Sequence, residues 1–471
     1  VRKYQELFER YRGLIQGGTY APGERLPSLR RVAEAESVGL NTVRAAFGLL
    51  EGEGLARPLP RGGYYVVYAA GRVLPPYSAP EACSEVAGLS ATQKIEYLLA
   101  AGATSTGFAL AEPDPGLLPL ARLERLHGAM RGSWIEYGDQ SGEEELRRRI
   151  VALHHPYHGA LESGDILVTN GATEAIDMVA RTFLSKGDEV AVESPTYYDY
   201  FRQLSAVGAR VLEVPVRVAD RRGLGGGMDL DLLESILETR TVKMIIVQPN
   251  VQNPTGTIMG DGDKARLVEL AARSGAILVQ DDVYGDLAFA HERPANLGAF
   301  GDYERLVYLS SFSKCLAPGL RIGWIAARGR FLADLRRAKS LISLATNRPA
   351  QRVLAAYLRD GAFRRQIAAM RASLQRQLDG YLEVLYGALP LGSSVLRPAG
   401  GCLLWIALPK GADSSRLFEA SAREGILFAP GELFSGNSFF RNHLRINFGY
   451  RLTERKRAEL TRLCALAREL D

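Results

Sequence analysis

Two kinds of hydrophobic patterning divide the chain. In its first part the apolar positions recur at helical spacing: Leu7, Tyr11, Leu14 and Ile15 form one stripe, which Gly17-Gly18 is placed to end. Ser28 is set to cap a second helix through Leu29, Val32 and Ala33, and Val38-Gly39-Leu40 reads as a tight turn. Asn41 then reads as the N-cap of a third helix that turns Val43, Ala46, Phe47, Leu49 and Leu50 inward and closes at Gly54. Residues 56–60 and 64–67 flank Arg61-Gly62-Gly63 as a hairpin with a basic tip.

Further on the pattern changes to short, continuous apolar runs at 166–169, 190–192, 244–247, 276–279 and 306–309, separated by helical stretches. Such runs are the strands of a sheet buried on both faces. Residues 107–471 therefore predict a three-layer α/β domain with a mostly parallel sheet and a smaller α/β segment at the C-terminus, where 443–448 alternates. Ser141-Gly142-Glu143-Glu144 reads as a capping box opening a helix with Leu146, Ile150 and Leu153. Between the two patterned regions, residues 68–106 carry Pro75-Pro76 and Tyr77-Ser78-Ala79-Pro80, with one helix-like piece at 93–100. The chain thus divides into a helical head (1–67), a semi-flexible linker (68–106) and a large domain (107–471).

Composition narrows the class. With 471 residues, 46% of them hydrophobic and 24% charged, the chain has the make-up of a folded protein of two or more domains. No apolar run reaches the roughly 18 to 20 residues that cross a bilayer, so no membrane role is expected. Cys83, Cys315, Cys402 and Cys464 are scattered without a CxxC pair, which argues against zinc and disulfides and fits a reducing cytoplasm. His154, His155 and His158 lack carboxylates at ligand spacing; they read as a helix end and a surface loop, and no metal is expected. A net charge of +5 permits nucleic-acid binding without establishing it.

Helix, Gly-containing turn, helix is the helix-turn-helix pattern, although periodicity alone fits a small bundle for protein contacts equally well. Tyr-Ala-Pro-Gly-Glu-Arg-Leu-Pro-Ser-Leu-Arg (20–30) with Leu-Asn-Thr-Val-Arg-Ala-Ala-Phe (40–47) resembles the winged-helix DNA-binding domain of the GntR superfamily. The resemblance implies that Ser28, Arg30, Asn41, Thr42, Arg44 and the wing around Arg61 and Gly63 touch an operator in double-stranded DNA.

In the large domain one lysine organises the rest. Taken alone, Lys314 reads as a solvated loop charge. It stands, however, where the 306–309 strand ends, with Ser311 and Ser313 before it and Arg321 beyond, and these offer hydroxyls and a fork-shaped cation to a phosphate. Ser-Phe-Ser-Lys followed by Pro-Gly-Leu-Arg-Ile-Gly-Trp resembles the lysine segment of fold-type I enzymes of the aspartate aminotransferase superfamily, in the 2-aminoadipate aminotransferase-like branch. The resemblance implies pyridoxal 5′-phosphate (PLP) held as a Schiff base at Lys314.

Residue by residue, the resemblance further implies that Ala172 and Thr173 cradle the phosphate at a helix start, with Ser311 and Arg321 beside them. It places Tyr197 on the ring, Asn253 and Tyr284 at its phenolic oxygen, and Asp281 opposite its nitrogen, leaving Asp282 solvated or structural. Arg445 would grip an amino acid's carboxylate, and Tyr137 would reach the partner subunit's cofactor in a homodimer. A winged helix fused to such a domain resembles the MocR subfamily of GntR-type regulators. The fusion implies a PLP-dependent transcriptional regulator that senses PLP or an amino acid or amine effector. The rival expectation is an active aminotransferase with an accessory DNA-binding arm.

Overall fold

A computed structural model of the chain describes residues 3–16, 19–20, 25–53, 55–59, 63–66, 108–130, 132, 135–217, 223–437 and 439–470. Arg61, Cys83, the helix-like piece at 93–100 and the linker expected at 68–106 lie outside the described residues.

The head comprises α1 (Lys3–Gln16), α2 (Leu29–Ala35), α3 (Leu40–Gly52) and an antiparallel hairpin of β1 (Ala56–Leu59) and β2 (Gly63–Val66). Leu7, Tyr11 and Ile15 of α1 meet Val32 of α2 and Val43, Ala46, Phe47 and Leu50 of α3 in a core of their own. The Tyr11 and Phe47 rings stand 5.2 Å apart at its centre. Ser28 caps α2 as expected, its hydroxyl accepting from the Arg31 N–H.

Three expectations for the head are corrected. The chain reverses through Ser37, in the left-handed region at φ 52°, ahead of the Val38-Gly39-Leu40 turn read from the sequence. Gly39, extended at φ −66° and ψ 147°, is therefore the N-cap of α3, and Asn41 falls inside the first turn, where its side-chain oxygen accepts from Arg44 Nη1 at 3.3 Å. Leu49 is 40% exposed, because the inward face of α3 is already filled by residues three and four positions apart.

The large domain is built on an eight-stranded sheet of β3 (Ile166–Thr169), β4 (Glu189–Ser194), β5 (Arg210–Arg217), β6 (Gly227–Met228), β7 (Val242–Val247), β8 (Ile277–Asp281), β9 (Leu306–Ser311) and β10 (Gly323–Ala326), ordered β3-β10-β9-β8-β7-β4-β5-β6. Its five central strands, β9 to β5, run parallel. β10 lies antiparallel to both β9 and β3, and β6 antiparallel to β5. β3, β8, β9 and β10 are buried at every position, which is why they read as unbroken apolar runs. Separate apolar layers cover the two faces. A second, antiparallel sheet of β11 (Ser394–Leu396), β12 (Leu403–Ala407), β13 (Ala429–Pro430) and β14 (His443–Asn447), ordered β11-β12-β14-β13, forms the smaller C-terminal unit. It shares its core with the helices Ala362–Ala388 and Glu454–Glu469. Among the described residues no helix is long and apolar enough to cross a membrane.

The helix Glu144–His158 is present, but no side chain caps it. The helix starts two residues later than that box, with Glu143 at the N-cap: Glu144, the box's acid, pairs with Arg148, and the Glu143 carboxylate is taken by Arg348 Nε at 2.9 Å and Arg352 Nε at 3.3 Å. His154 is not at a helix end or in a loop. It is buried, with its ring stacked 5.5 Å from Trp324 and Nε2 3.5 Å from Asp286.

Candidate functional site

The carboxyl ends of the parallel strands face one cavity of about 170 Å³, where open α/β sheets collect ligands. Ala172, Thr173, Tyr197, Asn253, Asp281, Tyr284, Ser311, Lys314 and Arg321 all line it. They reach it from several elements, with Ala172 and Thr173 sharing one helix start, and β7, β8 and β9 end beside one another because they pair in register.

At one side stands Asp281, the last residue of β8. Its Oδ2 accepts from the Tyr200 hydroxyl at 2.6 Å and Gln248 Nε2 at 3.1 Å, and its Oδ1 from the Val283 N–H at 3.1 Å. Burial pushes its carboxyl up, while these three donors favour the carboxylate. Gln248 also fixes the next strand end, since its Oε1 accepts from the Asn253 N–H at 3.1 Å. Neither Tyr200 nor Gln248 was marked by the sequence as a site residue. The one local signal is that Tyr200 follows Tyr197 by a helical turn, and the two rings meet edge to face at 5.5 Å.

At the other side the helix Ala172–Phe183 begins at the cavity wall. Its N-cap Gly171 has φ +87°, and a Cβ there would lie 2.5 Å from Arg321 Nη2, so glycine is what lets the guanidinium approach the helix start. Arg321 donates to the Asn170 carbonyl at 3.2 Å and to Ser313 Oγ at 3.4 Å. The Ser311 hydroxyl lies 2.9 Å from Ser313 Oγ. Unpaired helix N–H groups, a guanidinium and two hydroxyls make this side an anion cradle.

Lys314 enters between the two sides, three residues past the β9 end. Burial pushes its amine below the usual lysine range. Among the described residues no hydrogen bond or ion pair engages that amine. Cys315, next in sequence, is a buried free thiol as expected.

Asp282 points away from the cavity and is not solvated. Its carboxylate is buried, paired with Arg293 and accepting from the Tyr308 hydroxyl at 2.8 Å and Asn250 Nδ2 at 3.1 Å.

Arg445, on β14, is fully buried and touches Tyr198 and Asn253, both of which line the cavity. Its guanidinium lies 5.1 Å from the Phe434 ring centre and donates to Asn253 Oδ1 at 3.3 Å and to the Ala109 carbonyl at 2.6 Å. Its Nε has no partner among the described residues. Tyr284 directs its hydroxyl to the Ala111 carbonyl at 3.3 Å. Tyr137 is 81% exposed and is not among the residues of this cavity.

A flat, phosphorylated aldehyde fits this set of groups: a held carboxylate, a buried amine facing the cavity, and an anion cradle. In the head, Ser28, Arg30, Asn41 and Arg44 are exposed around the start of α2 and α3, with Thr42 half-buried. Gly63, at φ +89°, opens β2 beside the Arg25 guanidinium, a basic group near the wing that sequence reading passed over.

Residues 97–463 match the family model for aminotransferase class I and II, and residues 3–66 match that for bacterial regulatory proteins, gntR family. Over 470 residues, 98% of both chains, the sequence is 33% identical to the HTH-type transcriptional regulator YjiR of Escherichia coli. Among solved structures it is similar to the multiple substrate aminotransferase of Thermococcus profundus, with a TM-score of 0.73 and 28% identity over 81% of this chain and 96% of that one. It is likewise similar to LysN, the alpha-aminoadipate aminotransferase of Thermus thermophilus, complexed with N-(5′-phosphopyridoxyl)-L-leucine. There the TM-score is 0.71, at 28% identity over 80% and 94% of the two chains.

Proposed function

Because this chain belongs to the GntR-type DNA-binding regulators that carry an aminotransferase class I and II domain, we propose that it senses PLP together with an amino compound and converts their binding into a change in operator affinity. The observation that carries the reading is the convergence of Lys314, Asp281, Arg321 and the Ala172–Thr173 helix start on one cavity.

When bound, PLP supplies an aldehyde carbon reactive toward amines and a ring that withdraws electrons. Lys314 offers the cavity an amine that burial pushes below the usual lysine range, which favours the neutral form that attacks a carbonyl. Asp281, fixed by Tyr200, Gln248 and the Val283 N–H, would hold a proton at the ring nitrogen. Ala172, Thr173, Ser311 and Arg321, which line the cavity, would bind the phosphate, Tyr197 would face the ring, and Asn253 and Tyr284 would orient its phenolic oxygen. Arg445 receives the ligand's carboxylate, its buried cation selecting amino acids over plain amines. In a homodimer, Tyr137 reaches the partner's site from its exposed position. The head binds the duplex through α3 and the wing, with Ser28, Arg30, Asn41, Thr42 and Arg44 at the groove and further contacts from Arg61 and Gly63.

The test is the anisotropy of an operator fragment selected with the full chain, measured without PLP, with PLP, and with PLP plus L-leucine. Coupling of the kind seen in allosteric proteins shifts affinity by about 5- to 150-fold. Identical affinities in all three states would remove the sensing role. Arg44→Ala is expected to weaken operator binding and lower the slope of log affinity against log salt by about 1, if the guanidinium meets a phosphate. An unchanged slope with relaxed base preference would instead place it on a base edge.

The same groups favour a second reading, an aminotransferase in its own right. Sustained turnover of an amino acid with 2-oxoglutarate at about 1 per second or faster would establish it.

A further inference from the structure

The strand that carries Arg445 also holds the stretch of chain that comes from the head. Phe108 is the first residue described after the segment joining the two family matches. Its ring is fully buried, 6.2 Å from Tyr381 and 5.1 Å from Lys456 Nζ. From there each consecutive carbonyl is taken by a donor. Phe108 accepts from the Asn447 N–H at 2.9 Å, Ala109 from Arg445 Nη2 at 2.6 Å, and Ala111 from the Tyr284 hydroxyl at 3.3 Å. Leu110 and Glu112 both accept from Asn447 Nδ2, each at 2.6 Å. Leu110, Ala111 and Glu112 form part of the cavity wall.

Arg445 is poorly matched in this arrangement. A fully buried guanidinium is left with neutral oxygens only, Asn253 Oδ1 at 3.3 Å, the Ala109 carbonyl and the Tyr198 hydroxyl, with ring faces beside it and an Nε with no partner among the described residues. A carboxylate binds such a fork through two parallel charge-assisted bonds, roughly twice as strong as neutral ones. It would take the donor now held by Ala109, the residue directly after Phe108.

We propose that the Ala109 carbonyl is an internal occupant of the Arg445 site: a carboxylate ligand displaces it, loosens residues 108–112 from β14, and so signals its arrival to the linker. The inference rests on the reading above that Arg445 receives the ligand's carboxylate. It adds a rule for effectors. Amino acids release the segment, whereas amines lacking the carboxylate fill the cavity and leave the segment docked. It also means that the latch lowers the apparent ligand affinity, by the fraction of molecules in which it is open.

Hydrogen exchange on the PLP-loaded full chain tests this, because the Asn447 N–H is protected by the Phe108 carbonyl and reports docking of the segment. Saturating L-leucine is expected to raise exchange at Asn447 and across 108–112 by about tenfold, and 3-methylbutylamine, the same molecule without its carboxylate, by less than about twofold. Leucine that changes the visible absorbance but leaves this exchange unaltered overturns the latch. A ligand-free arm separates the two ideas. Arg445→Met, or Arg445→Lys should the first variant not fold, removes the fork and must by itself raise exchange at Asn447. Leucine without any absorbance change, alongside a raised rate in the variant, sinks the ligand reading and keeps the docking role of Arg445. An unchanged rate in the variant overturns the latch whatever leucine does.

Discussion

Arg293→Met is expected to lower the unfolding free energy of the large domain by about 3–5 kcal/mol, the usual cost of stripping a buried ion pair of one partner. Arg293 is 6% exposed and serves two carboxylates at once, pairing with Asp282 and, through Nε at 2.8 Å, with Asp286. Its Nη1 also reaches Asn296 Oδ1 at 3.2 Å. Methionine fills the space and leaves both acids buried without their cation. The Tyr308 hydroxyl and Asn250 amide on Asp282, and His154 at 3.5 Å from Asp286, offset only part of that loss.

The pH dependence has a definite sign. Burial raises the Asp286 carboxyl, but Arg293 and His154 outweigh it and hold the group below the usual carboxylate range. A depressed acid contributes stability above its unfolded pKa of about 3.9 and loses it as pH falls toward the folded value. The gap between wild type and variant should therefore be widest at neutral pH and narrow in acid, where the abandoned carboxylates take up protons. Urea midpoints at pH 7 and pH 4 measure it. Equal gaps at both would mean that the loss is one of packing. The network also begins one residue past Asp281, so the variant should hold PLP less firmly even where it is folded.

That network shows where sequence reading ends. Buried strands announce themselves, since every position of β3, β8, β9 and β10 is inaccessible and most of them are apolar. The turns that follow them are marked by Gly171, by Asn253 with Pro254, and by Ser311 to Lys314, so the cavity's own residues could be named from local spacing and resemblance. What holds those residues could not. Tyr200 and Gln248 reach Asp281 across 81 and 33 positions of sequence, and nothing near either marks a carboxylate as its partner. The same blindness produced the errors. The stretch from Ser141 to Glu144 looked like a local cap because nothing nearby marks Glu143 as the true N-cap, held by Arg348 from 205 positions away. His154 looked like a helix end because Asp286 and Trp324 are also remote in sequence. Asp282, beside the acid that faces the cavity, reads as solvated or structural and proves structural, because the cation that neutralises it lies beyond the next turn. In the head, Asn41 lost the capping position to Gly39 through one left-handed residue at Ser37, a backbone choice that composition does not reveal.

Lys314→Ala is expected to weaken PLP retention by about two orders of magnitude or more, roughly 3 kcal/mol, and to abolish the response of operator binding to amino acids. The variant keeps the anion cradle, Asp281 with its three donors, and Tyr197, so the phosphate and ring contacts persist while the anchoring amine is gone. Lys314→Arg separates charge from chemistry: it restores the cation, but a guanidinium stays protonated and does not attack a carbonyl. Both variants should lose the cofactor's visible absorbance on extensive dialysis while wild type retains it. In wild type the rate of loading should rise with pH along a curve whose midpoint lies below the ordinary lysine value, because burial has already pushed the amine down. Removing the lysine does not disturb the head, whose core is separate, so operator affinity without ligand should stay close to that of wild type. Should the alanine variant still switch between two operator affinities when L-leucine and PLP are added, the amine is not the sensor, and recognition must lie with Arg445 and the segment it holds.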